Sequence, residues 1–195
     1  NTQNLFFLNT YGSLYSLSNQ SFKINWFVNL NQSMNLNISN LFNSNPVIAY
    51  KDRLIISSDP YLYILNSTNG STVLKKTVTS IIKPVISSDK IYLINNDNLL
   101  ICIDILSGNI IYSLDVSKKI ADFLKTKKKT ITIKTLSIAN NNILIFLENS
   151  FVVKFNSKAR IQSIDKLKEK IESLPIFIDG SMIFINKKNK LVVID

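Results

Sequence analysis

The stretch PVIAYKDRLIISSDPYLYILNSTNG, residues 46–70, is followed by PVISSDKIYLINNDNLLICIDILSG, residues 84–108. Pro46-Val47-Ile48 recurs as Pro84-Val85-Ile86, Tyr61–Leu65 as Leu99–Ile103, and Asn69-Gly70 as Ser107-Gly108, each after 38 residues. Leu54-Ile55-Ile56 recurs as Ile91-Tyr92-Leu93 after 37. Self-similarity at a fixed period near 40 residues marks solenoids and propellers, in which one supersecondary unit repeats. Inside the unit the apolar runs are short, rich in Ile, Val, Leu, Phe and Tyr, and broken by Asn, Asp, Ser and Gly. Those are strands separated by turns. Many runs are continuously apolar, as expected where both faces of a sheet are covered. The stacked blades of a propeller provide that coverage.

The unit extends in both directions. Upstream, Leu5–Leu8, Ser13–Leu17 and Phe22–Leu30 match its second, third and fourth strands. Downstream, Ile143–Phe146, Phe151–Phe155 and Ile161–Ile164 match, followed by Pro175–Ile178, Met182–Ile185 and Leu191–Ile194. Leu17 to Leu65 is 48 residues and Ile103 to Phe155 is 52, which places insertions near Asn31–Phe42 and Lys118–Ile131. The expectation is an all-β partial β-propeller over residues 1–195, with repeats at about 1–30, 46–78, 83–116, 132–164 and 175–195. Its blades are four-stranded and antiparallel; the first lacks its first strand and the last lacks its fourth.

Two kinds of position recur. A small polar residue follows each third strand (Ser18, Asn66, Asp104, Asn156, Asp195) and can bond the backbone two residues on to start a reversal. Gly70 and Gly108 then supply the positive φ such a turn requires. Nine residues past the last apolar residue of each third strand stand Trp26, Leu74, Tyr112 and Ile164. A large side chain at one fixed place per repeat reads as packing between blades.

These positions resemble the pyrroloquinoline-quinone-like (PQQ-like) β-propeller repeat, whose pattern is Leu-Asp-x-x-Thr-Gly-x-x-x-Trp. The matching segments are Leu17…Trp26, Leu65…Gly70…Leu74 and Ile103-Asp104…Gly108…Tyr112. Within that superfamily, Phe6–Leu17 and Lys119–Leu124 are similar to the BamB-type propeller lipoproteins of the outer-membrane β-barrel assembly machinery. The resemblance implies an eight-bladed ring of which this chain is about the C-terminal half, its last blade borrowing an outer strand from the N-terminus. It also implies a non-catalytic scaffold in the periplasm, associated with the outer membrane, that assists barrel assembly and insertion. The partner would be the machinery's central insertion subunit, and the membrane would be reached through an anchor absent from this chain. The chain shows no initiator methionine and no signal-type leader of its own.

Composition narrows the chemistry. At 46% hydrophobic and 18% charged, the chain has the balance of a folded globular protein. Its longest apolar runs, such as Ile143–Leu147, are five residues, too short for a membrane-spanning helix. There is no histidine, which removes a Ser-His-Asp triad and the commonest zinc arrangements. Catalytic PQQ-dependent dehydrogenases share the repeat, so a fragment of one, or a generic sensor or adhesion propeller, stands as the alternative reading. The family pocket uses a vicinal cysteine pair, a tryptophan over the quinone, and Glu, Asn and Asp ligands to calcium. Here Cys102 stands alone between Ile101 and Ile103 and reads as a small buried apolar residue, while Trp26 sits at the packing position. No catalytic, cofactor-binding or metal-ligating residue is assigned, and Asn95-Asn96-Asp97-Asn98 reads as a hairpin rather than a calcium loop.

The net charge of +10 comes almost wholly from dispersed lysines, with arginine only at Arg53 and Arg160. Bidentate phosphate and base recognition favours arginine, so no nucleic-acid partner is expected. The remaining candidate is the second insertion. Ile120, Phe123 and Leu124 fall at helical spacing, followed by Lys125, Lys127, Lys128 and Lys129. The expectation is a projecting element whose apolar residues anchor the stem, with Phe123 and Lys127–Lys129 available to a partner.

Overall fold

Many apolar runs of the repeat end as strands where a side-chain oxygen of the next residue turns the chain around. The computed structural model describes residues 4–31, 42–80 and 82–194. The described residues form five antiparallel sheets and one helix, so the fold is all-β and of propeller type. The chain divides into two compact units, one of residues 1–83 with 105–108, the other of 84–104 with 109–195.

The first unit holds a three-stranded sheet of β1 (Asn4–Leu8), β2 (Ser13–Ser18) and β3 (Ile24–Asn29). Its second sheet has four strands, β4 (Ile48–Tyr50), β5 (Arg53–Ser58), β6 (Tyr61–Asn66) and β7 (Thr72–Lys76), in chain order. Leu14, Leu54, Ile56, Tyr63 and Leu65 are buried between the two sheets, with Phe6, Trp26, Val28 and Phe42 packed against them. The first predicted insertion lies almost wholly outside the described residues. Of it, Phe42 is held by its N–H to Thr10 O (2.8 Å) and by a ring contact with Tyr63.

The second unit begins with β8 (Val85–Ser87), β9 (Lys90–Ile94), β10 (Leu99–Asp104) and β11 (Ile110–Asp115), again in chain order. Helix α1 (Val116–Leu124) follows. The next sheet contains β12 (Ile133–Ala139), β13 (Asn142–Leu147), β14 (Phe151–Phe155) and β15 (Ile161–Lys166). A final three-stranded sheet comprises β16 (Ile176–Ile178), β17 (Ser181–Ile185) and β18 (Leu191–Ile194). Phe146, Val152, Ile171 and Phe184 form the buried cluster between these last two sheets.

The turns explain why the spacing is regular. Asn66 Oδ1 accepts from the N–H groups of Thr68 (2.8 Å) and Asn69 (3.3 Å), and Asn156 Oδ1 from Lys158 and Arg160 (both 3.0 Å). Ser18 Oγ does the same for Gln20 and Ser21. Asp195, the last of the polar series, lies outside the described residues. The closing residue of each turn has positive φ, at Phe22 (54°), Gly70 (73°), Gly108 (69°) and Ala159 (58°). Four sheets carry a β-bulge at one equivalent place, before the turn into the fourth strand: Ser16/Leu17, Ile64/Leu65, Cys102/Ile103 and Lys154/Phe155. A bulge there increases local twist in these four sheets in the same way.

Register corrects one expectation. Ser16 pairs with Trp26, Ile64 with Leu74 and Cys102 with Tyr112, but Lys154 pairs with Ser163, not Ile164. The turn from Asn156 to Arg160 is one residue shorter than that from Asn66 to Ser71. A one-residue change reverses which face a side chain takes. Ser163 therefore occupies the repeat's packing position, and Ile164, paired with Val153, points to the opposite face.

Candidate functional site

Trp26 and Leu74 do what their spacing suggests, and the partner in each case is a glycine. A Cβ at Gly70 would lie 2.6 Å from Trp26 Cε3, so the indole rests directly on the turn backbone. The indole N–H donates to Ser67 O at 3.2 Å, which fixes the ring over the turn. Leu74 sits the same way on Gly108, where a Cβ would come within 2.6 Å of Leu74 Cδ2, and Lys76 Nζ donates to Gly108 O at 2.8 Å. The large residue of one repeat thus packs on the positive-φ glycine that begins the next fourth strand. Asp104 opens the Gly108 turn, its N–H donating to Asn109 O at 3.0 Å. These are packing positions, with no substrate-sized space between the groups.

Cys102 is fully buried in β10, with the hydroxyls of Tyr92 and Tyr112 beside its sulfur. Burial pushes the thiol up, and burial next to it pushes the Tyr92 hydroxyl up to about 12. A thiol that is neutral and out of solvent is a poor nucleophile. Iodoacetamide at mildly alkaline pH is expected to leave Cys102 unmodified in the folded protein and to label it fully in denaturant, as read by intact mass. The Asn95–Asn98 turn spends its polar atoms locally: Asn95 Oδ1 accepts from the N–H groups of Asp97 (3.0 Å) and Leu99 (2.9 Å).

At the second insertion the described residues form a groove with both apolar and cationic walls. Asp115 caps α1, its Oδ1 accepting from the Lys118 N–H at 2.9 Å, while Oδ2 takes Lys128 Nζ at 2.6 Å. Lys125 ends the helix in the left-handed conformation (φ 52°), and the Thr126 N–H returns to Ala121 O at 2.9 Å. Asn98, from the turn before β10, holds both stems of the insertion. Its carbonyl accepts from the Val116 N–H (3.1 Å), and its side-chain amide donates to Ile131 O (3.1 Å). Nothing in the sequence around Asn98 signals that role; asparagine is common throughout the chain.

The helix keeps Ile120 and Leu124 of the expected stripe on its groove side and adds Ser117 and Ala121 to them. Val116, Ser117 and Ala121 are buried, whereas Phe123 and Leu124 are about half exposed. The series lining the groove is Ser117, Ile120, Ala121, Leu124, at i, i+3, i+4 and i+7, with Leu124 half exposed at its end, and Phe123 falls beside it. That series forms one wall of a groove of about 340 Å³. Phe151 and the reversed Ile164 form the facing wall, and Lys127, Lys129 and Thr130 of the return loop form the rim. The short turn before β15 therefore contributes directly to the groove. Neither Lys127 nor Lys129 has an acidic partner among the described residues.

The Asp115 contacts make a prediction. Its carboxyl is held below the usual carboxylate range, chiefly by Lys128 and then by the Lys118 N–H. The unfolded chain takes up this proton at a higher pH than the folded one. The stabilisation is therefore complete above about pH 4 and is lost as the pH falls through the folded value. Asp115→Ala is expected to cost about 1 kcal/mol in urea unfolding at neutral pH, with the difference from wild type shrinking toward zero in acid.

No protein-family model matches the sequence, and no curated protein matches it. Among solved structures, the chain is similar to BamB from Moraxella catarrhalis, with 12% sequence identity and a TM-score of 0.74. That match covers 99% of this chain and 56% of that one. It is also similar to the computationally designed protein Ika8, with 9% identity and a TM-score of 0.70 over 98% of this chain and 55% of the other. The chain thus spans about half the length of the solved structures it matches. At these identities the likeness is one of fold.

Proposed function

We propose that this chain is part of a non-catalytic propeller scaffold that binds protein partners and assists assembly of outer-membrane β-barrel proteins from the periplasmic side. The observation that carries the reading is the fold: 99% of the chain superimposes on about half of a BamB propeller. The candidate positions support it, since Trp26, Gly70, Leu74 and Gly108 are consumed in packing and the thiol of Cys102 is buried between tyrosines. The inter-blade connections remain accessible, and in a rigid scaffold such connections carry recognition. The central insertion subunit of the barrel-assembly machinery is the expected partner. The test is affinity capture of the complete protein from envelope extracts. Recovery of the insertion subunit is expected; repeated captures without it overturn the proposal.

A further inference from the structure

We infer that the groove beneath α1 is a docking site for an acidic peptide segment that carries a large apolar side chain. The inference rests on reading the chain as an interaction propeller, and it names the chemistry of one contact. The groove is concave and, at about 340 Å³, lies at the small end of the roughly 300–1,000 Å³ typical of ligand sites. It has room for one aromatic or two aliphatic side chains. Ile120 and Leu124 line one wall, Phe151 and Ile164 the other, so its interior matches an apolar residue.

The rim selects the rest of the ligand. Lys127 and Lys129 stand at the mouth without acidic partners among the described residues, and Lys118, Lys119 and Lys125 lie on the same insertion. Lys128 is occupied by Asp115. A carboxylate flanking the buried side chain would meet an ammonium at the rim, where charge complementarity favours encounter and excludes basic segments. A peptide fits this shape better than a bilayer does. A membrane surface engages projecting apolar side chains, whereas these groups converge on a recess held at both stems by Asn98.

The probe is a short fluorescent peptide in which glutamate and phenylalanine alternate, titrated into the complete protein and followed by anisotropy. Saturable binding that weakens with salt is expected, with no binding of the lysine–phenylalanine counterpart. Thr130→Trp, an exposed rim residue enlarged to fill the groove, and the double variant Lys127→Ser with Lys129→Ser should each weaken binding by about tenfold or more at unchanged thermal midpoint. Leu124→Glu, at a half-exposed lining position, gives a second route to the same loss. Equal binding by all variants overturns the inference. So does failure of the peptide to bind while phosphatidylglycerol vesicles bind and are lost in the same variants. Loss of peptide binding in the variants with capture of the insertion subunit intact supports the groove as a separate contact. Peptide binding without any capture sinks the function proposed above and leaves the groove standing.

Discussion

Charged substitutions on the two terminal sheet faces are expected to turn a self-associating 195-residue chain into a monodisperse one. In the first unit, Phe7, Tyr15 and Phe27 form an aromatic ladder across three strands, with ring centroids 6.4 Å and 5.9 Å apart. Phe7 is 58% and Phe27 66% exposed, with Leu5 and Ile24 beside them. In the second unit, Ile176, Ile178, Ile185, Leu191 and Val193 are similarly exposed on the outward face of the last sheet. Both patches alternate with side chains buried against the neighbouring sheet, so the strands are built as though covered on both faces. Contiguous apolar surface of this kind drives association. Phe7→Lys with Phe27→Glu, and Leu191→Lys with Val193→Glu, should abolish concentration-dependent sedimentation. Because these side chains are exposed, each should change stability by no more than about 0.5 kcal/mol. A wild-type chain that sediments as a monomer at every concentration contradicts the expectation.

The second large effect concerns the contact of Trp26 with Gly70. Gly70→Val imposes a β-branched side chain at φ 73° and drives Cβ to 2.6 Å from the indole. Left-handed backbone for an L-residue costs about 1–2 kcal/mol, and overpacking a filled contact about 1–3 kcal/mol. A loss of about 3 kcal/mol is therefore expected in denaturant unfolding, a large fraction of the roughly 5–15 kcal/mol that holds a domain folded. Trp26→Ala removes the obstacle. In that background Gly70→Val should cost only the backbone part, about 1–2 kcal/mol. Equal losses in both backgrounds would mean that the ring is not what limits the turn.

How much of this was legible in the sequence follows from what a period can encode. The 38-residue offsets placed strands, because apolar runs and turn residues recur together in the chain. They also singled out Trp26, Leu74 and Gly108, although not that each large residue rests on the glycine of the next repeat, which needs the third dimension. The fourth repeat shows where counting fails. With a turn one residue shorter, Ile164 sits at the right distance from Phe155 and on the wrong face, and Ser163 takes its place. Helical spacing found the insertion's helix and two groove-lining residues, Ile120 and Leu124, but not Ser117 and Ala121, whose small side chains carry little hydrophobic signal. In the sequence Asn98 is one polar residue of a hairpin turn. Its hold on both stems joins segments 33 residues apart, which no local pattern records.

The scaffold role proposed above requires direct contact with a protein partner. Sedimentation velocity of the complete protein mixed with the purified barrel-insertion subunit tests it most directly. A single faster boundary containing both proteins, weakened by salt, is the predicted result. Two independent boundaries at every concentration and ionic strength would contradict it.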